Sequence, residues 1–323
     1  MYMPMNSWED LNQKYGVKPE ETKAQEKKSS KVKFALILFF ILIIAFVYYQ
    51  FWIVPEKENS ALIGWMDEMQ GSSDASLERS KADVAEREGN ITRDFELCEN
   101  DGICDIKNTF PNLNMLYLSK SARYSLENPK IIVDWHRNII NQKSGFGCDS
   151  VAKPIALTLS MMFSVSEAGQ GYLELNNRQT KAQSELAEAF MAQDLKNDTG
   201  SVKSVMGNYS EMRKSYLKAY YEEINQNYSV AKDSQFAYLS KIVLEGYKKD
   251  KGGAGINLPV ICSDSVISQY LSYQKGFIEY SYGQFNSLVN SGTYEEAIPF
   301  ANTLYGFMQY GKYSSGNDNS QFG

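Results

Sequence analysis

The chain has 323 residues, with 33 basic and 39 acidic side chains, one histidine and four cysteines. A net charge of −6 provides no basic face for a phosphate backbone, which argues against nucleic acid as a partner. One histidine and no C-x-x-C pair leave no usual zinc ligand set, so neither a metal nor a cofactor is expected.

The leader, residues 1–33, carries seven lysines against five acids. Within it, Ser7 to Gly16 reads as a short helix. Ser7 is a cap, Glu9 and Asp10 sit in the first turn, and Gly16 is a stop. Trp8, Leu11 and Tyr15 share one face at i, i+3 and i+7. That face fits docking to a cytoplasmic partner or a membrane surface. An isolated helix of this length is marginal in water, so a frayed leader is the alternative. Residues 17–33 read as a charged, flexible tether.

Phe34 to Val54 is an apolar run of 21 residues without a charge. That length predicts one helix crossing a bilayer core of about 30 Å. Lys23, Lys27, Lys28, Lys31 and Lys33 precede the run, and only Lys57 follows closely. Lysine excess marks the cytoplasmic side, so the N-terminus is expected inside and the bulk outside. Tyr48, Tyr49, Phe51 and Trp52 fit the headgroup level at the far end, and Pro55 is expected to end the helix. A cleaved signal peptide would need a shorter core and small residues at the cut. Phe46-Val47-Tyr48-Tyr49 stands there instead, so an uncleaved anchor is predicted.

Beyond the run, residues 55–90 read as a stalk, with a break at Gly71-Ser72-Ser73-Asp74. A folded domain is expected over 91–311 and a disordered tail over 312–323. Tyr209, Met212, Tyr216, Tyr220, Ile224 and Tyr228 step by three or four. Residues 172–195 are rich in helix formers, and 233–249 and 264–290 continue the pattern. Strand-like alternation is scarce, so the fold class is all-α. Breaks are expected at Ser144-Gly147, Gly169-Gly171, Asn197-Gly200 and Gly252-Gly255. The acidic balance of this part serves solubility and disfavours docking flat on anionic lipid.

Cys98, Cys104, Cys148 and Cys262 all follow the apolar run. An even number outside the cytoplasm predicts two disulfides. Asn100-Asp101-Gly102 is turn chemistry, which favours Cys98 with Cys104 and leaves Cys148 with Cys262; four cysteines allow three pairings.

At the C-terminus, a helix over 264–290 ends at Ser291-Gly292, and Thr293 with Glu296 forms a capping box for a second helix. The stretch Gly292 to Ile298 resembles the turn and second-helix start of a tetratricopeptide repeat. The resemblance covers about 20 residues, has no second copy at a 34-residue period, and implies a helical hairpin only. Tyr270, Tyr273 and Tyr280 form a helical stripe, and Tyr294, Tyr305 and Tyr310 follow. Such a stripe is core packing or, where exposed, a protein interface.

Catalytic motifs are sparse. Ser150-Val151-Ala152-Lys153 matches S-x-x-K, but so do four other positions, and K-T-G is absent. Ser166 to Leu175 resembles the second motif of lytic transglycosylases. That resemblance implies a sugar cleft with a catalytic Glu shortly upstream, yet 145–165 contains no Glu, so Glu167 or Glu174 could serve as the acid only by departing from the family plan. Glu99 to Gly102 fails the calcium-loop frame, which would need carboxylates at Leu97 and Asn108. Lys251 to Gly255 lacks the residues that follow a phosphate loop. His136 has no nucleophile motif beside it.

The expectation is therefore a non-enzymatic, single-pass scaffold or adaptor. It would sit in the inner membrane of a bacterial envelope assembly for secretion, pilus building or division. Its periplasmic domain would bind other membrane or periplasmic proteins. The alternative is a peptidoglycan-acting hydrolase.

Overall fold

The computed structural model describes residues 19–142, 147–192, 196–250 and 262–315. Trp8, Leu11, Tyr15, Gly252 to Gly255 and residues 316–323 lie outside the described residues. Every described regular element is a helix, which agrees with the all-α expectation. The chain divides into two compact units, Met1–Val54 and Pro55–Gly323.

The first unit holds α1 (Pro19–Tyr48) followed by a π-helical segment, Tyr49–Ile53. The predicted uninterrupted α-helix over Phe34 to Val54 is thus divided at Tyr48. From Phe34 to Tyr48 the apolar α-helix has fifteen residues, a rise of about 22 Å against the roughly 30 Å of a bilayer core. Among the described residues no helix is long and apolar enough to cross a membrane.

The second unit opens with α2 (Val54–Asp101), a helix of 48 residues. Contrary to expectation, Pro55 does not end a helix but lies in the first turn of this one. There the missing N–H has no intrahelical partner to lose. Nor does α2 break at Gly71. Leu77, Val84, Ile91 and Cys98 fall seven residues apart and are all buried. That spacing keeps one seam of the helix against its neighbours, and the seam outweighs the ~1 kcal/mol that an exposed Gly71 costs. Ser73 Oγ, also on the seam, donates to Leu126 O at 3.0 Å.

Two short helices follow, α3 (Ile106–Ser125) and α4 (Asn128–Ile140). Asp105 caps α3 by accepting from Asn108 N at 3.2 Å. Pro129 occupies the first turn of α4. The long helices α5 (Cys148–Met191) and α6 (Thr199–Asp250) come next, then α7 (Ser263–Asn290) and α8 (Ile298–Ser315). The break expected at Gly169-Gly171 is absent, because α5 runs through it. The turn at Ser291-Gly292 is present, with Gly292 at φ 80°. The capping box at Thr293 is not. A turn over Tyr294 to Ala297 delays α8 to Ile298, and Glu295 reaches Arg213 instead.

Two large hydrophobic clusters fill the described part of this unit, beside a small one of Ala152 with Val266. The larger joins Leu62 and Met66 of α2 to Ile132 and Val133 of α4, Leu157, Met161 and Leu175 of α5, Tyr220 and Tyr221 of α6, Phe277 of α7 and Phe307 of α8. The second large one joins Val84 and Ile91 of α2 to Leu113 of α3, Phe190 of α5 and Tyr209 of α6. The stretch expected as a stalk thus supplies side chains to both.

Helix α8 is the hub. From Ile298 to Met308 all residues except Tyr305 are buried. A helix buried on every side belongs in a core. It crosses α5 at two glycines. A Cβ on Gly171 would overlap the backbone of Asn302, and one on Gly306 would overlap the backbone of Glu167. Only residues without side chains let the two backbones approach so closely.

Two disulfides brace the second unit. Cys98 pairs with Cys104 across the turn that leaves α2, and Cys148 pairs with Cys262, joining the starts of α5 and α7.

Candidate functional site

Three features have chemistry to offer. The first is the apolar α1. Phe34, Leu36 to Ile44 and Phe46 are exposed by 40–68% of their surface. Apolar patches this continuous mark contact with lipid or protein. From Phe34 to Tyr48 the helix carries no charged residue.

The second is a polar chain inside the large core. His136 on α4 faces two oxygens, Ile132 O at 2.7 Å from Nδ1 and Ser160 Oγ at 3.1 Å from Nε2. The Gln274 amide on α7 lies 3.1 Å from Ser160 Oγ and 3.4 Å from Ser164 Oγ. Its other end lies 3.3 Å from both carboxyl oxygens of Glu167. His136, Ser160, Ser164 and Glu167 have no exposed surface, and Gln274 has 1%. Burial pushes the Glu167 carboxyl well above the ordinary carboxylate range, and the Gln274 contact only partly offsets it. Burial also lowers His136 to about 4, against a smaller opposing effect of the Ile132 carbonyl. Sequence reading reached His136 and Glu167 but missed Ser160, Ser164 and Gln274. Their signal was available: Ser160, Ser164 and Glu167 step by four and three along an otherwise apolar face of α5.

The third is a cleft of about 320 Å³ lined by Gln170, Leu173, Glu174, Asn177, Tyr305 and Gln309. Its carboxylate is engaged. Arg178 Nε donates to Glu174 at 2.6 Å, and the same guanidinium donates to both oxygens of Glu223 at 2.6 and 3.1 Å. The two glutamates of the transglycosylase-like stretch are therefore separated in role. Glu167 is sealed in the core, and Glu174 borders an open cleft with an arginine on it.

Other sequence candidates fall into structural positions. Lys153 donates to the carbonyls of Ile140 and Gln142 at the end of α4, while Ser150 Oγ donates to Gly147 O at 2.7 Å. A lysine at a helix C-terminus satisfies orphan carbonyls and the dipole. Among the described residues no group of three or more His, Cys, Asp or Glu is placed to hold a metal ion.

The tyrosine stripe divides as well. Tyr270 is buried at 4% exposure. Tyr273, Tyr294, Tyr305 and Tyr310 are half-buried, and Tyr280 is exposed. Tyr280 stacks on Trp135 of α4 with centroids 4.9 Å apart. Tyr310 meets Phe163 edge-on at 4.3 Å. Sequence reading also missed a clamp at the α7–α8 turn. Arg213 of α6, 3% exposed, donates to both carboxyl oxygens of Glu295 at 2.5 Å and to Tyr117 O at 3.2 Å.

Comparison of the chain with protein-family models, curated proteins and solved structures finds no match among any of the three.

Proposed function

We propose that the protein is a single-pass, membrane-anchored scaffold or adaptor subunit, held by the run from Phe34 to Val54. The observation that carries this reading is the exposed apolar surface from Phe34 to Phe46. At about 25 cal/mol per Å², that much apolar surface is strongly favoured in lipid over water. The π segment Tyr49–Ile53 keeps its backbone hydrogen-bonded within the helix, as a lipid environment demands. It thereby extends the apolar length beyond α1. The lysines before the run and the aromatic residues at its end support an inside N-terminus. The two disulfides support an oxidising compartment for the second unit.

The working part is the helical unit, in this reading a platform for other envelope proteins of a bacterial secretion, pilus or division assembly. That assignment rests on layout, a fold-level analogy. The contact surface is the outer edge of α7, where Tyr280 with Trp135 and Tyr273 present aromatic surface. The alternative, cleavage of a glycan, asks for an unpaired carboxyl in a cleft. Glu167 has no exposed surface and Glu174 is held by Arg178, which favours the scaffold. Crosslinking in membranes, followed by affinity isolation and mass spectrometry, tests the reading. Envelope proteins should be recovered with the native chain and reduced by Tyr280→Ala. Glycan cleavage that disappears in Glu174→Gln would overturn it.

A further inference from the structure

The buried chain from Glu167 to His136 has a donor count that closes in only one way without a buried charge. His136 Nδ1 faces the carbonyl of Ile132 at 2.7 Å, and a carbonyl only accepts. Nδ1 therefore carries a proton. If His136 is neutral, Nε2 is an acceptor and needs the hydroxyl proton of Ser160, its neighbour at 3.1 Å. Ser160 has one such proton, so it cannot also donate to Gln274. The Gln274 amide, 3.1 Å away, must then present its NH2 to Ser160. The second hydrogen of that NH2 points to Ser164 Oγ at 3.4 Å, and Ser164 donates its own proton to Ser160 O at 2.8 Å.

With its NH2 turned that way, Gln274 offers its carbonyl oxygen to Glu167, with both carboxyl oxygens 3.3 Å away. Half a turn of an amide exchanges donor for acceptor and leaves the heavy-atom positions in place. Two oxygens at that separation need a proton between them, and Glu167 is the only group that can supply it.

The opposite orientation leaves a carboxylate in the core with, among the described residues, one amide as its polar partner. Tyr270 on α7 and Tyr310 on α8 are the titratable groups that feel Glu167, and both are neutral phenols. On the α4 side the chain ends at His136. If Ser160 then donates to Gln274, Nε2 must donate as well and His136 becomes a buried imidazolium. Either form places charge among side chains with no exposed surface, where its desolvation is not repaid.

We infer that Glu167 is held as the neutral carboxylic acid, donating to Gln274, and that Gln274, Ser160 and the Nδ1–H form of His136 complete one directional chain tying α5, α7 and α4 together. Ionisation of Glu167 reverses that chain. It also places a charge at the crossing where Gly306 of α8 rests on the backbone of Glu167. The chain is thus a proton-linked latch on the central helix.

The single histidine makes the test direct. The full chain, labelled with 15N at His, is purified in detergent micelles. Long-range proton–nitrogen spectra at pH 7 should show a protonated Nδ1 and an unprotonated Nε2. An imidazolium pattern or a protonated Nε2 would overturn the inference. Urea unfolding of native and Glu167→Gln protein is then compared from pH 5 upward, so that His136 cancels. The native folding constant should fall relative to the variant, by up to tenfold per pH unit. A ratio that does not change with pH would also overturn it, and should the variant not fold, the spectra decide alone.

Discussion

Gly306 rests on the backbone of Glu167 so closely that no side chain fits between them, and Gly171 does the same against Asn302. Helices α5 and α8 therefore cross at backbone contact, with one glycine contributed by each. Gly306→Ala or Gly171→Ala must push backbone from backbone. Each should destabilise the second unit by about 3 kcal/mol or more, at the upper end of overpacking costs. Gly169→Ala, whose new methyl would meet nothing within 4 Å, should be neutral or stabilise by up to ~1 kcal/mol. Urea unfolding of the three variants reads the contrast.

Arg213 holds α6 to α3 and to the α7–α8 turn through Glu295, Tyr117 and Ser121. It is 3% exposed and its partner Glu295 31%. Arg213→Ala strips a buried network of its cation and should cost about 3–5 kcal/mol. Lys181→Ala removes an exposed pair with Glu185 at 3.9 Å and should change stability by under about 0.5 kcal/mol. Equal losses in the two variants would contradict the burial argument.

His136 makes stability fall in acid. Burial holds its folded value at about 4, below the ordinary 6.5. The unfolded chain therefore takes up a proton first as the pH drops. The stabilisation is whole above pH 6.5 and is lost between there and pH 4, about 3 kcal/mol in all. Denaturant titrations of native and His136→Gln protein at pH 4 and pH 7.5 measure the loss as a difference between the two, because Glu167 acts in the opposite direction and is common to both. The native protein should lose stability relative to His136→Gln on going from pH 7.5 to pH 4.

Peptide mapping without reductant should recover Cys98 linked to Cys104 and Cys148 linked to Cys262. Reducing the second bond releases a closed loop of more than a hundred residues, since the separation is 114. In the chain-entropy model that costs about 5 kcal/mol, against about 2 for the short loop. Cys148→Ser should therefore lower the melting temperature more than Cys98→Ser. Four free thiols would contradict both the pairing and the oxidising compartment.

The helical class was legible because the residues at Tyr209 to Tyr228 step at helical spacing, and the disulfides because a turn separates Cys98 from Cys104. The long helices were not. Gly71 and the Gly169-Gly171 pair read as breaks by local propensity, yet a seven-residue seam in α2 and a backbone crossing in α5 keep them helical. Tertiary packing overrode propensity at both places. Likewise Glu296 looked like a capping residue, but Arg213 draws Glu295 away and delays α8. No local pattern encodes that partner, 82 residues distant. At the candidate site, His136 and Glu167 stood out as single residues, whereas their link through Gln274 joins positions 107 apart in sequence.

The central claim is an anchor from Phe34 to Val54 with the helical unit outside the cytoplasm. Two reporters fused after Gly323 test it most directly, one active only outside the cytoplasm and one only inside. The account predicts signal from the first and none from the second, with the fusion retained in membranes after alkaline carbonate washing. Signal from the cytoplasmic reporter, or release of the fusion by carbonate, would contradict it.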